Sequence, residues 1–327
     1  MILMNDFQKE PEKLKKEMIL ALNRVLDSGW YVLGKEVDQF EKEWSAISGV
    51  KYGVGVANGM DAIEIALKSL DIGKGDEVIT TNMTAFATVL AIYRSGATPV
   101  IADIEPDTAL LDIKSVERCI TKKTKAVILV HLYGQVKKMN SWTKLCDSYD
   151  IKLIEDCAQS HLASINGKPA GSFGVAGAYS FYPTKNLGAS GDAGMLVTSN
   201  NDIKSKADII RNYGQSVRYQ HPELGLNSRL DEIQAALLLV RLKWLHIFTN
   251  RRKEIASNYN KYIDNEYIQK LNIPEEKDSH VFHLYVINCN NRHKLQSYLE
   301  DRGIQSLIHY PVPIHKQKPY LSIKIRT

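Results

Sequence analysis

Residues 126–155 read AVILVHLYGQVKKMNSWTKLCDSYDIKLIE. Ala126 to Val130 is apolar at every position. A strand with one wet face alternates polar and apolar residues, so a run of this kind belongs to a strand covered on both faces. A helical spacing from Trp142 to Tyr149 follows, and then a second strand, Lys152 to Glu155. A helix between two such strands is the crossover that joins parallel neighbours in one sheet.

The alternation continues on both sides. Upstream, strands are predicted at Tyr52 to Ala57, Glu77 to Thr81 and Pro99 to Ala102. Helices are predicted at Asp61 to Leu70, Ala87 to Ser95 (closed by Gly96) and Ser115 to Thr121. Before them, Leu14, Met18, Ala21, Leu22 and Val25 recur at helical spacing. Ser28-Gly29 and Gly34 break the pattern, and Val37 to Ile47 resumes it. Downstream, Ala178 to Phe181 and Met195 to Thr198 are short strands flanking a glycine-rich stretch. Leu230, Ile233, Leu237, Val240 and Trp244 mark one long helix. The tail is expected to hold a strand at Val281 to Ile287, a helix at Arg292 to Asp301 and a strand near Ser306 to His309. The fold class is α/β, a mostly parallel central sheet flanked by helices. A large domain over residues 1–245 includes the N-terminal helix, and a smaller α+β domain covers 246–327.

The bulk numbers narrow the function. The chain has 327 residues, 44% hydrophobic and 24% charged, which is ordinary for a globular protein. A net charge of +5, spread along the chain, argues against nucleic acid as partner. No window approaches the roughly 18 apolar residues of a membrane span. Cys119, Cys146, Cys157 and Cys289 form no paired motif and read as reduced thiols of a cytoplasmic protein without a structural metal.

Three segments carry chemistry. In Val56-Ala57-Asn58-Gly59-Met60-Asp61 a strand gives way to a helix through a glycine turn. Free N–H groups and the positive end of a helix dipole meet there, which suits a phosphate; it equally suits a routine turn with Asn58 as cap. In Leu153-Ile154-Glu155-Asp156-Cys157-Ala158-Gln159 an acid stands at the C-terminal end of a parallel strand, where open α/β sheets bind ligands. A carboxylate there can keep a pyridine nitrogen protonated, although a solvated strand end is the plain alternative. In Ser180 through Gly194, Pro183 stops regular structure and Lys185 follows on a turn of small residues. A lysine so held can form a Schiff base with an aldehyde. Of the histidines, His131 reads as a hydrogen-bonded core residue and His161 as the better site candidate.

These segments resemble the DegT-type sugar-nucleotide aminotransferases, a pyridoxal-phosphate family with the aspartate-aminotransferase fold (fold type I). The matching residues are Glu155 to Gln159, Ser180 to Gly194 and Asn227-Ser228-Arg229-Leu230-Asp231-Glu232-Ile233-Gln234-Ala235-Ala236. The resemblance implies pyridoxal 5'-phosphate as cofactor, Lys185 as its covalent attachment and Asp156 as partner of the ring nitrogen. Gln159 would sit near the phenolic oxygen, and Ser180, Gly59 and Met60 would hold the phosphate. Asn227 would reach the phosphate in the partner subunit of a homodimer, or else cap the helix that follows. It further implies L-glutamate as donor and a nucleotide-sugar acceptor. Tyr182 resembles the 3-keto-6-deoxyhexose group on a dTDP carrier, where histidine marks the 4-keto enzymes. His309, Tyr310 and His315 match a stretch near the nucleotide-sugar pocket.

Two positions depart from the family. Met60 replaces a hydroxyl residue. Ala85 replaces an aromatic that stacks on the cofactor ring, which leaves Phe86 either to take over the stacking or to fill the core. Family members also continue past this chain's last residues with a final strand and helix, so the small domain is expected to be incomplete and to expose apolar surface. The rival readings are a regulatory protein on the same fold, a dehydratase and a nicotinamide oxidoreductase. Dehydratase relatives carry histidine in place of Lys185. The oxidoreductase reading lacks a Gly-x-Gly-x-x-Gly turn.

Overall fold

A computed structural model describes residues 1–274 and 276–319. The expected features of Leu321 to Thr327 therefore lie outside the described residues. Helix α1 (Glu12–Ser28) ends on Gly29 in the left-handed conformation, and α2 (Lys35–Ile47) follows. The alternating part comprises β1 (Tyr52–Val56), α3 (Gly59–Ser69), β2 (Glu77–Thr81), α4 (Phe86–Ser95), β3 (Thr98–Ala102), α5 (Ile113–Cys119), β4 (Thr124–Val130), α6 (Met139–Ser148) and β5 (Lys152–Asp156). A two-strand ribbon, β6 (Ser164–Ile165) and β7 (Lys168–Pro169), precedes β8 (Ala176–Ser180), β9 (Gly194–Thr198) and α7 (Asn201–Arg211). The chain continues through α8 (Glu232–Leu242), α9 (Leu245–Tyr262), β10 (Ile268–Lys270), β11 (Ile287–Cys289) and α10 (Arg292–Glu300).

Seven strands form the main sheet in the order β1-β9-β8-β5-β4-β2-β3. All run in one direction except β9, which is antiparallel to both neighbours. The apolar runs explain the layering. In β4, Val127 and Leu129 face a core shared with Phe40, Trp44, Trp142 and Leu238. Ala126 and Ile128 face the opposite core with Ile65, Leu67, Ile92 and Ile210. Side chains of α2, α5, α6 and α8 thus cover one face, and those of α3, α4 and α7 the other.

Three expectations for the C-terminal half are corrected. The helix expected from Leu230 to Trp244 is α8, which stops at Leu242, and α9 follows it where no helix was expected. Trp244 separates α8 from α9, where its indole N–H donates to Glu17 on α1 at 3.1 Å and its ring stacks on Phe248. The strand over Val281 to Ile287 is confined to Ile287–Cys289. Phe282 has φ +47°, and this segment hydrogen-bonds the turn after β4 instead of a neighbouring strand, Val281 N to Gly134 O at 2.9 Å. Near Ser306 to His309 there is no ladder among the described residues; the nearest pairing is one bridge between Ile2 and Ile304.

Candidate active site

The C-terminal edge of the sheet assembles the site. β1 ends at Val56, β5 at Asp156 and β8 at Ser180, and β9 returns with Gly194 in register with both Val56 and Ser180. Glycine is required at 194: a Cβ there would stand 2.3 Å from the Asn58 carbonyl carbon. A Cβ on Gly59 would stand 2.7 Å from that of Ser180. The first turn of α3 therefore presses directly onto the end of β8. Asn58 does cap α3, its Oδ1 accepting from Asp61 N at 2.9 Å. That leaves the Gly59 and Met60 N–H groups without a partner among the described residues. Such groups at a helix N-terminus favour an anion, so the capping and phosphate readings are compatible.

Asp156 is buried. It accepts from Ala158 N at 3.1 Å and from Thr88 Oγ1 at 2.9 Å, and Thr88 lies 3.0 Å from Thr84 Oγ1. Burial pushes its carboxyl up; the two donors, Lys185 and His131 pull it down. Its neighbour Glu155 points the other way and is spent on structure. Glu155 accepts from the N–H groups of Gly171, Phe173 and Gly174, and its remaining contact is His131 Nε2 at 2.8 Å. His131 is thus the hydrogen-bonded core residue expected of it. His131, Glu155 and Cys157 bring metal-capable atoms together, but both Glu155 oxygens are already engaged.

Lys185 lies partly buried on a turn closed by its N–H to the Tyr182 carbonyl at 2.8 Å. Burial lowers its pKa and the Asp156 carboxylate opposes that. Gln159, also buried, accepts from Tyr133 N at 2.6 Å and donates to the Tyr310 hydroxyl at 3.4 Å. His309 senses the charge of Lys185, and Tyr310 that of Asp156; burial lowers the first and pushes the second up to about 12. The loop of His309 and Tyr310 thus closes over Lys185, Asp156 and Gln159. His315 lies on the next turn, after Ile314, which is seated against Val89 and Ile101.

The other expected residues have these surroundings. Tyr182 is exposed. Asn227 is exposed and bridges Asn212; Asp231 stands at the start of α8, so Asn227 is not its cap. Ala85 stands at the N-terminus of α4, and Phe86, partly buried, packs with Val89, Ile101 and Ile314. His161 is fully buried among Trp44, Tyr179 and Phe181. Sequence reading missed Thr88, Thr84 and Tyr133. Thr84 and Thr88 are spaced as one helix face, which was a usable signal.

These groups fit pyridoxal phosphate: unpartnered helix N–H groups beside a serine for its phosphate, a buried carboxylate for its nitrogen, and a poorly solvated lysine for its aldehyde. The sequence profile of the DegT/DnrJ/EryC1/StrS aminotransferase family matches residues 12–325. The chain is 45% identical over 320 residues to the dTDP-3-amino-3,6-dideoxy-alpha-D-galactopyranose transaminase of Aneurinibacillus thermoaerophilus, spanning 98% of this chain and 88% of that one. Among solved structures, S. venezuelae DesV matches with a TM-score of 0.95 at 40% identity, over 98% of this chain and 86% of that one. NtdA from Bacillus subtilis, solved with the cofactor PMP bound, matches with a TM-score of 0.88 at 31% identity, over 96% and 73%.

Proposed function

The chain belongs to the DegT/DnrJ/EryC1/StrS aminotransferase family, and on that premise we propose how its residues carry out amino transfer. It is a pyridoxal-phosphate enzyme that aminates a keto-sugar nucleotide. The observation that carries the mechanism is the convergence at one edge of the sheet of Asp156, ending β5, Ser180, ending β8, the Gly59 turn, and Lys185 on the turn after β8.

When bound, the cofactor supplies an aldehyde for amines and a ring that stores the electron pair left by a departing proton. Lys185, whose pKa burial lowers, would take a proton from the substrate carbon and deliver it to the carbon of the cofactor's aldehyde group, acting as base and then as acid. Asp156 holds the ring nitrogen's proton, steadied by Ala158 N–H and the Thr88 hydroxyl. Ser180 with the Gly59 and Met60 N–H groups binds the phosphate and fixes the ring's position. The loop of His309 and Tyr310, with Tyr182 and His315, orients the sugar nucleotide and sheds water from the site.

For the acceptor we favour a dTDP-3-keto-6-deoxyhexose, with L-glutamate as donor. The residue Tyr182 supports this, as does the 3-amino product in the Aneurinibacillus relative's name. A homodimer is supported by the exposed apolar side chains Ile19, Leu20 and Leu26 of α1 and Trp30, Tyr31 and Leu33 beyond it. Asn227, also exposed, would then serve the partner's phosphate. No helix among the described residues is long and apolar enough to cross a membrane. Purified protein incubated with L-glutamate and 3-keto or 4-keto dTDP-sugars, read by product mass, tests the assignment. Amination at C4 alone removes the argument from Tyr182. A cofactor absorbance that never shifts with L-glutamate favours a regulatory protein.

A further inference from the structure

Tyr133 has no part in the chemistry assigned above, yet it is held in an uncommon way. Its φ is +61°, in the left-handed region that bulky residues rarely adopt, and it is buried. Such a backbone persists where its surroundings over-determine it. Here they do. Its N–H donates to Gln159 Oε1 at 2.6 Å, and its hydroxyl donates to the His309 carbonyl at 2.7 Å. One peptide bond beyond His309, the Tyr310 hydroxyl lies 3.4 Å from Gln159 Nε2. The path Gln159, Tyr133, His309, Tyr310 returns to its start. Gly134 blocks retreat of the turn: at φ +95° it passes so close that a Cβ would lie 2.8 Å from the Gln159 carbonyl oxygen.

We propose that Tyr133 is a positioning residue that locks the loop of His309 and Tyr310 to Gln159, so that loop seating and the orientation of the Gln159 amide change together. A primary amide has one accepting end and one donating end. Tyr133 N–H fixes the accepting end, which aims the donating end at Tyr310 and would leave it to donate to the phenolic oxygen of a bound cofactor. A shift of the loop at His309 or Tyr310 therefore pulls on this amide. The inference rests on the aminotransferase reading, which puts the cofactor beside Gln159.

Tyr133→Phe keeps the ring and the backbone N–H but removes the hydroxyl, and Tyr310→Phe opens the circuit at its other link. Two measurements test it. In apoprotein, amide hydrogen exchange over residues 305–315 should rise about tenfold in Tyr133→Phe, the scale of one lost buried hydrogen bond. In holoenzyme, the pH midpoint of the cofactor's near-visible band should move in each single variant, and in the double variant by no more than in the larger single. Unchanged exchange in Tyr133→Phe, or single effects that add, overturns the proposal. Absence of any near-visible band in wild type would instead defeat the aminotransferase reading, while the exchange measurement would still decide whether Tyr133 grips the loop. Thermal unfolding of each variant confirms that it is folded.

Discussion

The proposed role of Lys185 turns on the solvation of its amine. Burial disfavours the ammonium form, and Asp156 is the charge that moderates the effect. Lys185→Arg keeps a cation there but cannot release a proton at any working pH. We expect it to lose roughly 10²–10⁴-fold in single-turnover rate with L-glutamate. Borohydride should fix the cofactor to wild type and not to the variant; labelling of the variant would show attachment elsewhere. Gly194→Ala tests the backbone geometry beneath. Its Cβ would meet backbone of Asn58 and Gly59, which cannot step aside as a flexible side chain can. A loss of about 1–3 kcal/mol in denaturant unfolding is expected, with weaker cofactor binding. An unchanged midpoint would mean that β9 and the phosphate turn are not in contact. Asp156 and Lys185 were legible because each breaks its local pattern, an acid ending an apolar strand and a lysine following a proline stop. Tyr133 was not, because its significance lies in contacts with residues 26 and 176 positions away.

Helix α2 shows how an element of this fold is held from afar. Its N-terminus has no side-chain cap of its own. Glu232, on α8, supplies one across nearly two hundred residues: it accepts from Gly34 N at 2.8 Å, Val37 N at 2.9 Å and Glu36 N at 3.0 Å. The carboxylate is buried, and it also favours the positive end of the helix dipole. It ties the exposed Trp30 to Leu33 loop to the start of α8, just beyond Asn227. Glu232→Ala takes the acceptor from one buried and two part-buried donors and should cost about 1–3 kcal/mol. Limited proteolysis should then cut within the Trp30 to Leu33 loop before global unfolding. Wild-type resistance there would show that packing alone holds the loop. The strands of the main sheet were readable because apolar runs with glycine or polar ends leave few alternatives. The Val281 to Val286 segment was misread because its apolar residues serve a tertiary contact. Arg252 takes the Phe282 and His283 carbonyls at 3.4 and 3.1 Å, and Gly134 takes the Val281 N–H, so no strand ladder forms.

At the scale of the molecule, three buried histidines lie around the join between the sheet and the segment that carries its C-terminal unit. His161 sits in the aromatic core, His280 stacks on Phe282 at 4.0 Å, and His283 Nδ1 lies 3.2 Å from Asn186 Oδ1. Burial is the main cause that lowers all three, the first two to about 3 and the last well below 6.5. The folded chain therefore keeps them neutral while the unfolded chain protonates them near pH 6.5. Below that pH the unfolded state binds more protons, so stability present above 6.5 is lost as pH falls toward 3. Each group contributes a slope of about 1.4 kcal/mol per pH unit, and together they remove about 4 kcal/mol by pH 5.5. That is a large part of a typical stability of roughly 5–15 kcal/mol. Carboxylates with ordinary pKa values titrate lower; Asp156 and Glu41, raised by burial, oppose the trend and His309, lowered by burial, adds to it. Urea unfolding of apoprotein should show a midpoint that is flat above pH 7 and falls steeply through the interval from about 6.5 to 5.5. His161→Phe, whatever its effect on the plateau, should make the slope shallower. A midpoint independent of pH between 7 and 5.5 would mean that these imidazoles reach solvent before the chain unfolds, through opening of the join between the C-terminal segment and the sheet.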